Sequence, residues 1–129
     1  MRATGLIGLL LLLGLAACGG GSDNGGGGGG GGAGSTQAAS SGACPQGTVV
    51  IHMHNIQFEP KTQKVKVGQK VCWVNDDDVQ HDVEADNNQF HSALFGKDNH
   101  FTTKITKAGE VSYVCTVHPN MTATLKFSP

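Results

Sequence analysis

The sequence predicts an all-β domain, an antiparallel-rich sandwich or barrel of six or seven short strands. Two positive signs and one absence carry this. From Thr48 onward apolar residues recur with a period of two, and turn-forming residues punctuate the runs. No stretch shows the 3.6-residue period of an amphipathic helix.

The elements follow in order. Val49, Ile51 and Met53 alternate with Val50, His52 and His54, and Ile56 and Phe58 prolong the pattern to Glu59-Pro60. Val65 and Val67 alternate with Lys64 and Lys66 until Gly68 turns the chain. Val71 and Trp73 share the next strand, which stops at Asn75-Asp76-Asp77-Asp78, residues whose side chains favour turns. Residues 85–99 are polar and read as a long connection, with Phe90, Leu94 and Phe95 as its anchors. Phe101, Thr103 and Ile105 then alternate with His100, Thr102 and Lys104. Ala108-Gly109 interrupts, Val111–Cys115 forms another strand, and Ala123, Leu125 and Phe127 alternate to the end.

Composition divides the chain into three. It has 129 residues with 9 Lys and Arg against 10 Asp and Glu, which leaves room for one small domain. A large multi-domain enzyme is excluded, and near-neutrality argues against nucleic-acid binding. Residues 19–43 hold 13 of the 20 Gly, whereas every aromatic residue lies between Phe58 and Phe127. The folded part is therefore residues 44–129, small enough that a cross-link or a metal would help to hold it.

Residues 1–17 read as a secretory leader. Met1-Arg2 is a short positive start, and the apolar run Leu6–Leu15 is too short to cross a bilayer comfortably. Leu15-Ala16-Ala17-Cys18 resembles a bacterial lipobox, which implies cleavage before Cys18 and acylation of that residue. Several acyl chains, at about 0.8 kcal/mol per buried CH₂, make a stable anchor. Ordinary secretion with a free Cys18 is the alternative. Residues 18–43 then read as a lipidated cysteine and a disordered Gly-rich tether, spanning on the order of 25–30 Å. The predicted location is extracytoplasmic, on a bacterial membrane, and periplasmic in a Gram-negative cell.

Cys115, His118 and Met121 follow one another as Cys-x₂-His-x₂-Met at the end of a strand, and His81 follows a separate strand and turn. One thiolate, two imidazoles and one thioether are the donors of a blue-copper electron-transfer site. Thiolate and imidazole also suit zinc, but an axial thioether has no obvious use there. A set that compromises between Cu(II) and Cu(I) changes little on electron transfer. Cys115 is the only cysteine in the ligand segment, which excludes a dinuclear copper centre with two bridging thiolates. Its neighbours Val114 and Thr116 are not the histidines of a multicopper oxidase. No Ser-His-Asp set or paired carboxylates are legible, so no enzymatic activity is expected.

Taken in order, five stretches of the chain resemble the cupredoxins, the small blue copper proteins such as plastocyanin, pseudoazurin and amicyanin. They are Ile56–Pro60, Val65–Gly68, Val71–Asn75, His81 and Ala108–Met121, and the resemblance covers about residues 48–128. The spacing from His118 to Met121 is most similar to the short ligand loop of the amicyanin-type members. The resemblance implies a Greek-key sandwich of seven to eight strands, with copper at one end. It also implies single-electron transfer between redox proteins, such as a c-type cytochrome or an oxidoreductase docking near His118, by a monomer. A module for copper delivery or sequestration is the alternative function.

Further expectations depend on that resemblance. Cys44 and Cys72 would lie close enough for a disulfide, with two free thiols as the alternative. Val71, Trp73 and Tyr113 would form the dry surround of the site, and Val79, Val117 and Pro119 an apolar rim about His118. The ring of His118 would protonate near neutral pH once the metal is reduced. Gln80 and Asp82 stand where many members carry Pro and Asn; Asp82 would tie the ligand loops together only as an acceptor, for instance from Thr116. Asp76, Asp77, Asp78, Asp82, Glu84 and Asp86 form either a patch that steers a basic partner or a solvated turn. His52 and His54 share one strand face and read as exposed, with an auxiliary metal site as the less favoured reading. His91 and His100 have no assigned partner.

Overall fold

The structure, a computed structural model, describes residues 36–129. The leader, Cys18 and the Gly-rich run through residue 35 lie outside the described residues. Among the described residues nine strands follow one another: β1 (Ser40–Ser41), β2 (Val49–His54), β3 (Gln57–Glu59), β4 (Thr62–Lys66), β5 (Lys70–Asn75), β6 (Glu84–Ala85), β7 (Asn99–Lys104), β8 (Gly109–Cys115) and β9 (His118–Ser128). They form a five-stranded sheet, ordered β1-β7-β5-β2-β3, and a four-stranded sheet, ordered β4-β9-β8-β6. The β2–β5 and β4–β9 pairs are parallel and the others antiparallel. Among the described residues there is no helix.

The alternation read from the sequence is the alternation of burial. Ile51, Met53, Phe58, Val71, Trp73 and Phe101 face inward from one sheet, and Val65, Val111, Tyr113, Leu125 and Phe127 from the other. Trp73 is the hub of this core. Its ring centroid lies 5.2 Å from Phe90, 5.6 Å from Phe101 and 5.6 Å from Tyr113, the last edge-on. Fully burying aliphatic and aromatic side chains of this size contributes about 1.5–3 kcal/mol each. The bulk of the fold energy is therefore in this interior. A disulfide joins Cys44 to Cys72, with the two Cα atoms 5.9 Å apart.

Four details differ from the sequence reading. The ordered domain begins before Cys44, because β1 pairs with β7 and Gln37 bridges to Ser92. These are main-chain bonds, such as Ala93 N–H to Gln37 O at 2.8 Å, and they need no apolar side chain, so composition gave no sign of them. The first alternating run is not one strand. Asn55 and Ile56 take left-handed φ values of 53° and 57° and fold it into the β2–β3 hairpin. The connection after residue 84 is partly structured, with β6 and bridges from His81 to Phe95 and from Glu84 to His91. Phe90 and Phe95 anchor it, but Leu94 is exposed. Finally, β9 starts at His118 rather than Thr122, so the ligand segment is itself part of a hairpin.

Candidate metal centre

His81 is delivered by a short, tightly held segment. Asn75, fully buried at the end of β5, donates its side-chain amide to Val79 O at 2.8 Å and Phe95 O at 3.0 Å, and its oxygen accepts from the Asp77 amide. The His81 backbone then exchanges two hydrogen bonds with Phe95. Cys115 and His118 come from the β8–β9 hairpin, where they are cross-strand partners separated by Thr116-Val117, with a register irregularity at Val114/Cys115. Bulges of this kind re-aim side chains.

The two elements bring three donor atoms together. His81 Nδ1 and His118 Nδ1 are 3.1 Å apart, and Cys115 Sγ is 3.7 Å from the first and 3.5 Å from the second. A point equidistant from all three lies about 2.0 Å from each, close to first-row metal–nitrogen bond lengths and slightly short for sulfur. The donor triangle fits one such ion without rearrangement. His81 and Cys115 are buried, whereas His118 is half-buried and is the one donor of the three that reaches the surface. Met121, 1% exposed, follows on the inward face of β9.

Two carboxylates brace this triangle. Asp77 Oδ2 lies 2.9 Å from His81 Nε2, the nitrogen turned away from the other donors, so it fixes both the tautomer and the ring plane. The same carboxylate accepts the amides of Asn55 and Ile56, at 2.8 and 2.9 Å, and thereby holds the left-handed hairpin turn. Burial acts to raise the Asp77 pKa. The Ile56 amide, the His81 ring and the Asn55 amide outweigh it and hold the group below its ordinary value. Asp82, buried, accepts the Thr116 amide and hydroxyl and so joins the His81 segment to the β8–β9 turn. Burial raises the Cys115 thiol, with the Asp82 and Val117 amides acting in the opposite direction. The metal-free sulfur is therefore protonated at neutral pH, and metal uptake releases that proton.

The acidic cluster is neither a free patch nor a merely solvated turn. Asp76 pairs with His52 at 2.6 Å, Asp77 with His81, Asp78 with Lys97 at 2.7 Å, Asp82 with Thr116, and Glu84 with His91 at 3.7 Å. Five of the six acids thus face a particular neighbour and Asp86 alone is exposed without one among the described residues, which reduces the field left for steering. His52 and His54 are exposed, and His54 lies 3.8 Å from Asp77. His100 faces Gly42 O at 2.8 Å and His91 approaches Thr36, so both serve the N-terminal strand. Val79 and Val117 are exposed, at 44% and 47%, as are Pro119, Ile56 and Leu94. Sequence reading missed Asp77 as a support. Neither its type nor its spacing sets it apart from Asp76 and Asp78 on either side.

Comparison with known proteins agrees with this architecture. The profile of the family described as copper binding proteins, plastocyanin/azurin family, matches residues 45–128. Amicyanin from Paracoccus versutus is 27% identical over 82 residues, covering 60% of this chain and 62% of that protein. Amicyanin from Paracoccus denitrificans is 29% identical over 85 residues, covering 58% and 61%. The chain thus spans somewhat less than two thirds of either relative. Among solved structures, the Cu(I) form of one amicyanin variant superposes with a TM-score of 0.67 at 23% identity, over 72% of this chain and 94% of that one. The oxidised state of a second variant gives the same TM-score and coverage. The likeness in fold is close. The chain belongs to the plastocyanin/azurin family of copper binding proteins.

Proposed function

We propose that the domain carries single electrons between extracytoplasmic redox proteins through one type 1 copper ion held by His81, Cys115, His118 and Met121. The observation that carries this reading is the donor triangle, two imidazole nitrogens and one sulfur spaced for a single ion. Bound copper supplies the one-electron couple. The chain supplies a site that resists change: Asp77 fixes the His81 ring, Asp82 clamps the two ligand-bearing segments, and the buried walls keep water from the thiolate. Little then has to move when charge changes, which keeps reorganisation small. The half-buried His118, with the exposed apolar residues Val79, Val117 and Pro119 beside it in sequence or along the neighbouring loop, is where a partner such as a cytochrome docks.

In the same reading the chain is a lipoprotein. Residues 1–17 are its leader, Cys18 carries the acyl chains, and the Gly-rich segment tethers a monomeric domain to a bacterial membrane, in the periplasm of a Gram-negative cell. Export also accords with the Cys44–Cys72 bridge, since disulfides persist in oxidising compartments.

The deciding experiment is an optical and EPR spectrum of the copper-loaded protein beside Cys115→Ser. An intense blue band that disappears in the variant supports the reading; stoichiometric Cu²⁺ without colour overturns it. Reversible one-electron cycling without copper loss separates electron transfer from metal delivery, in which a chelator would strip the ion quickly.

A further inference from the structure

Six of the eight lysines among the described residues cluster at the end of the sandwich opposite the metal centre: Lys64, Lys66, Lys70, Lys104, Lys107 and Lys126. The strand directions place them there. His118 opens β9 and Lys126 stands near its other end, eight residues on and about 26 Å away at strand rise. β4 ends at Lys66, β5 begins at Lys70 and β7 ends at Lys104. All six are exposed, and among the described residues Glu110, near the start of β8 and paired with Lys126 at 3.3 Å, is the one acidic side chain in an ion pair with any of them. The lysines are also set against one another. Lys70 is the cross-strand partner of Lys104, and Lys64 is the register partner of Lys126. Like charges directly opposite destabilise a sheet. Neither pairing helps the fold, so the concentration of charge calls for a role outside it.

We propose that this basic pole rests on the anionic phospholipid headgroups of a membrane, turning the metal centre away from the bilayer and toward its partners. Three features favour a lipid plane over an acidic protein. The pole has no apolar centre, since the exposed large apolar residues Ile56, Val79, Leu94 and Val117 lie on turns and connections at the other end and only Val50, opposite Cys72 on β5, is near it, and protein interfaces are organised around such centres. The six lysines spread over both sheets and the loop after β7, which suits a diffuse, flat array of charge. No arginine stands among the described residues, although arginine is the side chain suited to bidentate grip on a discrete phosphate or carboxylate. The inference rests on the lysines and does not require a lipid on Cys18.

The test is a lysine footprint of the full chain. Acetylation by an amine-reactive reagent is measured residue by residue on vesicles of phosphatidylcholine alone or mixed with phosphatidylglycerol. The six lysines are expected to react at least about threefold more slowly on the anionic vesicles only, with recovery in about 0.5 M sodium chloride. Lys97, bonded to Asp78 near the metal centre, should not change in any sample. Equal reactivity on both vesicles overturns the proposal, as does protection of Lys97 with the rest, or protection by polyglutamate but not by vesicles. The double variant Lys64→Glu, Lys104→Glu converts both like pairs into opposite pairs. It should melt higher than the parent and lose its footprint on the remaining four lysines; an undiminished footprint or a lower melting temperature overturns the argument.

Discussion

The Asp82 carboxylate accepts the Thr116 backbone amide at 2.6 Å through one oxygen and the Thr116 hydroxyl through the other, so one side chain holds together the two segments that carry the metal donors. An amide at this position would keep both contacts, because its oxygen still accepts and its NH₂ donates to the hydroxyl. What it would lose is the negative charge.

Asp82→Asn is therefore expected to raise the reduction potential by some tens of millivolts, since a nearby anion favours the higher copper valence. Thr116→Val keeps the charge and removes the hydroxyl bond, so it should leave the potential nearly unchanged while costing about 1 kcal/mol of stability. Protein-film voltammetry of both variants separates charge from clamp. An unshifted or lowered potential in Asp82→Asn would contradict the electrostatic account.

Asp77 links the hairpin turn to His81, and its removal should be felt at both ends. Asp77→Ala leaves the Asn55 and Ile56 amides and the His81 ring without their acceptor. The expected losses are about 1–3 kcal/mol of stability and about 10–100-fold in copper affinity, read by chelator competition. The pH dependence has a definite sign. The folded-state pKa of Asp77 lies below its ordinary value of 3.8, so its contribution is present above that value and is lost as pH falls through the folded-state pKa. Denaturant titrations of the metal-free protein should show a steeper acid loss for the parent than for Asp77→Asn.

These two aspartates mark the boundary of what was legible. His81, Cys115 and His118 are donor types in a distinctive spacing, and the period of two exposes the inward residues from Ile51 to Phe127. The left-handed turn at Asn55-Ile56 was hidden because Ile is a poor residue for positive φ; its support comes from Asp77, more than twenty positions away. Likewise, β1 is held by backbone groups that every residue possesses. Asp77 itself could not be told from Asp76 and Asp78 by type or local spacing. Only the tertiary contact distinguishes it.

The Cys44–Cys72 bridge ties the segment before β2 to the middle of β5, across a sequence separation of 28. In the chain-entropy account a loop of this length contributes about 3–4 kcal/mol. Replacing both cysteines with serine should lower the melting temperature by more than about 10 °C in a domain of this size. The blue band should survive, since neither residue is a metal donor. Calorimetry together with the optical spectrum checks both halves; loss of the band with an unchanged melting temperature would reverse the assignment.

Alkaline pH should weaken the metal-free protein through two buried groups. Burial raises the Cys115 thiol above its ordinary 9.0, against the pull of the Asp82 and Val117 amides, and burial raises the Tyr113 hydroxyl above its ordinary 10.0. Between the ordinary and the folded-state values the native chain holds protons that the unfolded chain has released. Their stabilising contribution is complete below about pH 9 and declines as pH climbs through the folded-state values. Tyr113→Phe should flatten the upper part of that decline and Cys115→Ser the lower part. Copper loading should remove the Cys115 portion alone, because the metal has already displaced its proton. Urea midpoints of the apo and loaded forms from pH 7 to about 11 measure this directly, and identical slopes for the two forms would show that Cys115 is not the group involved.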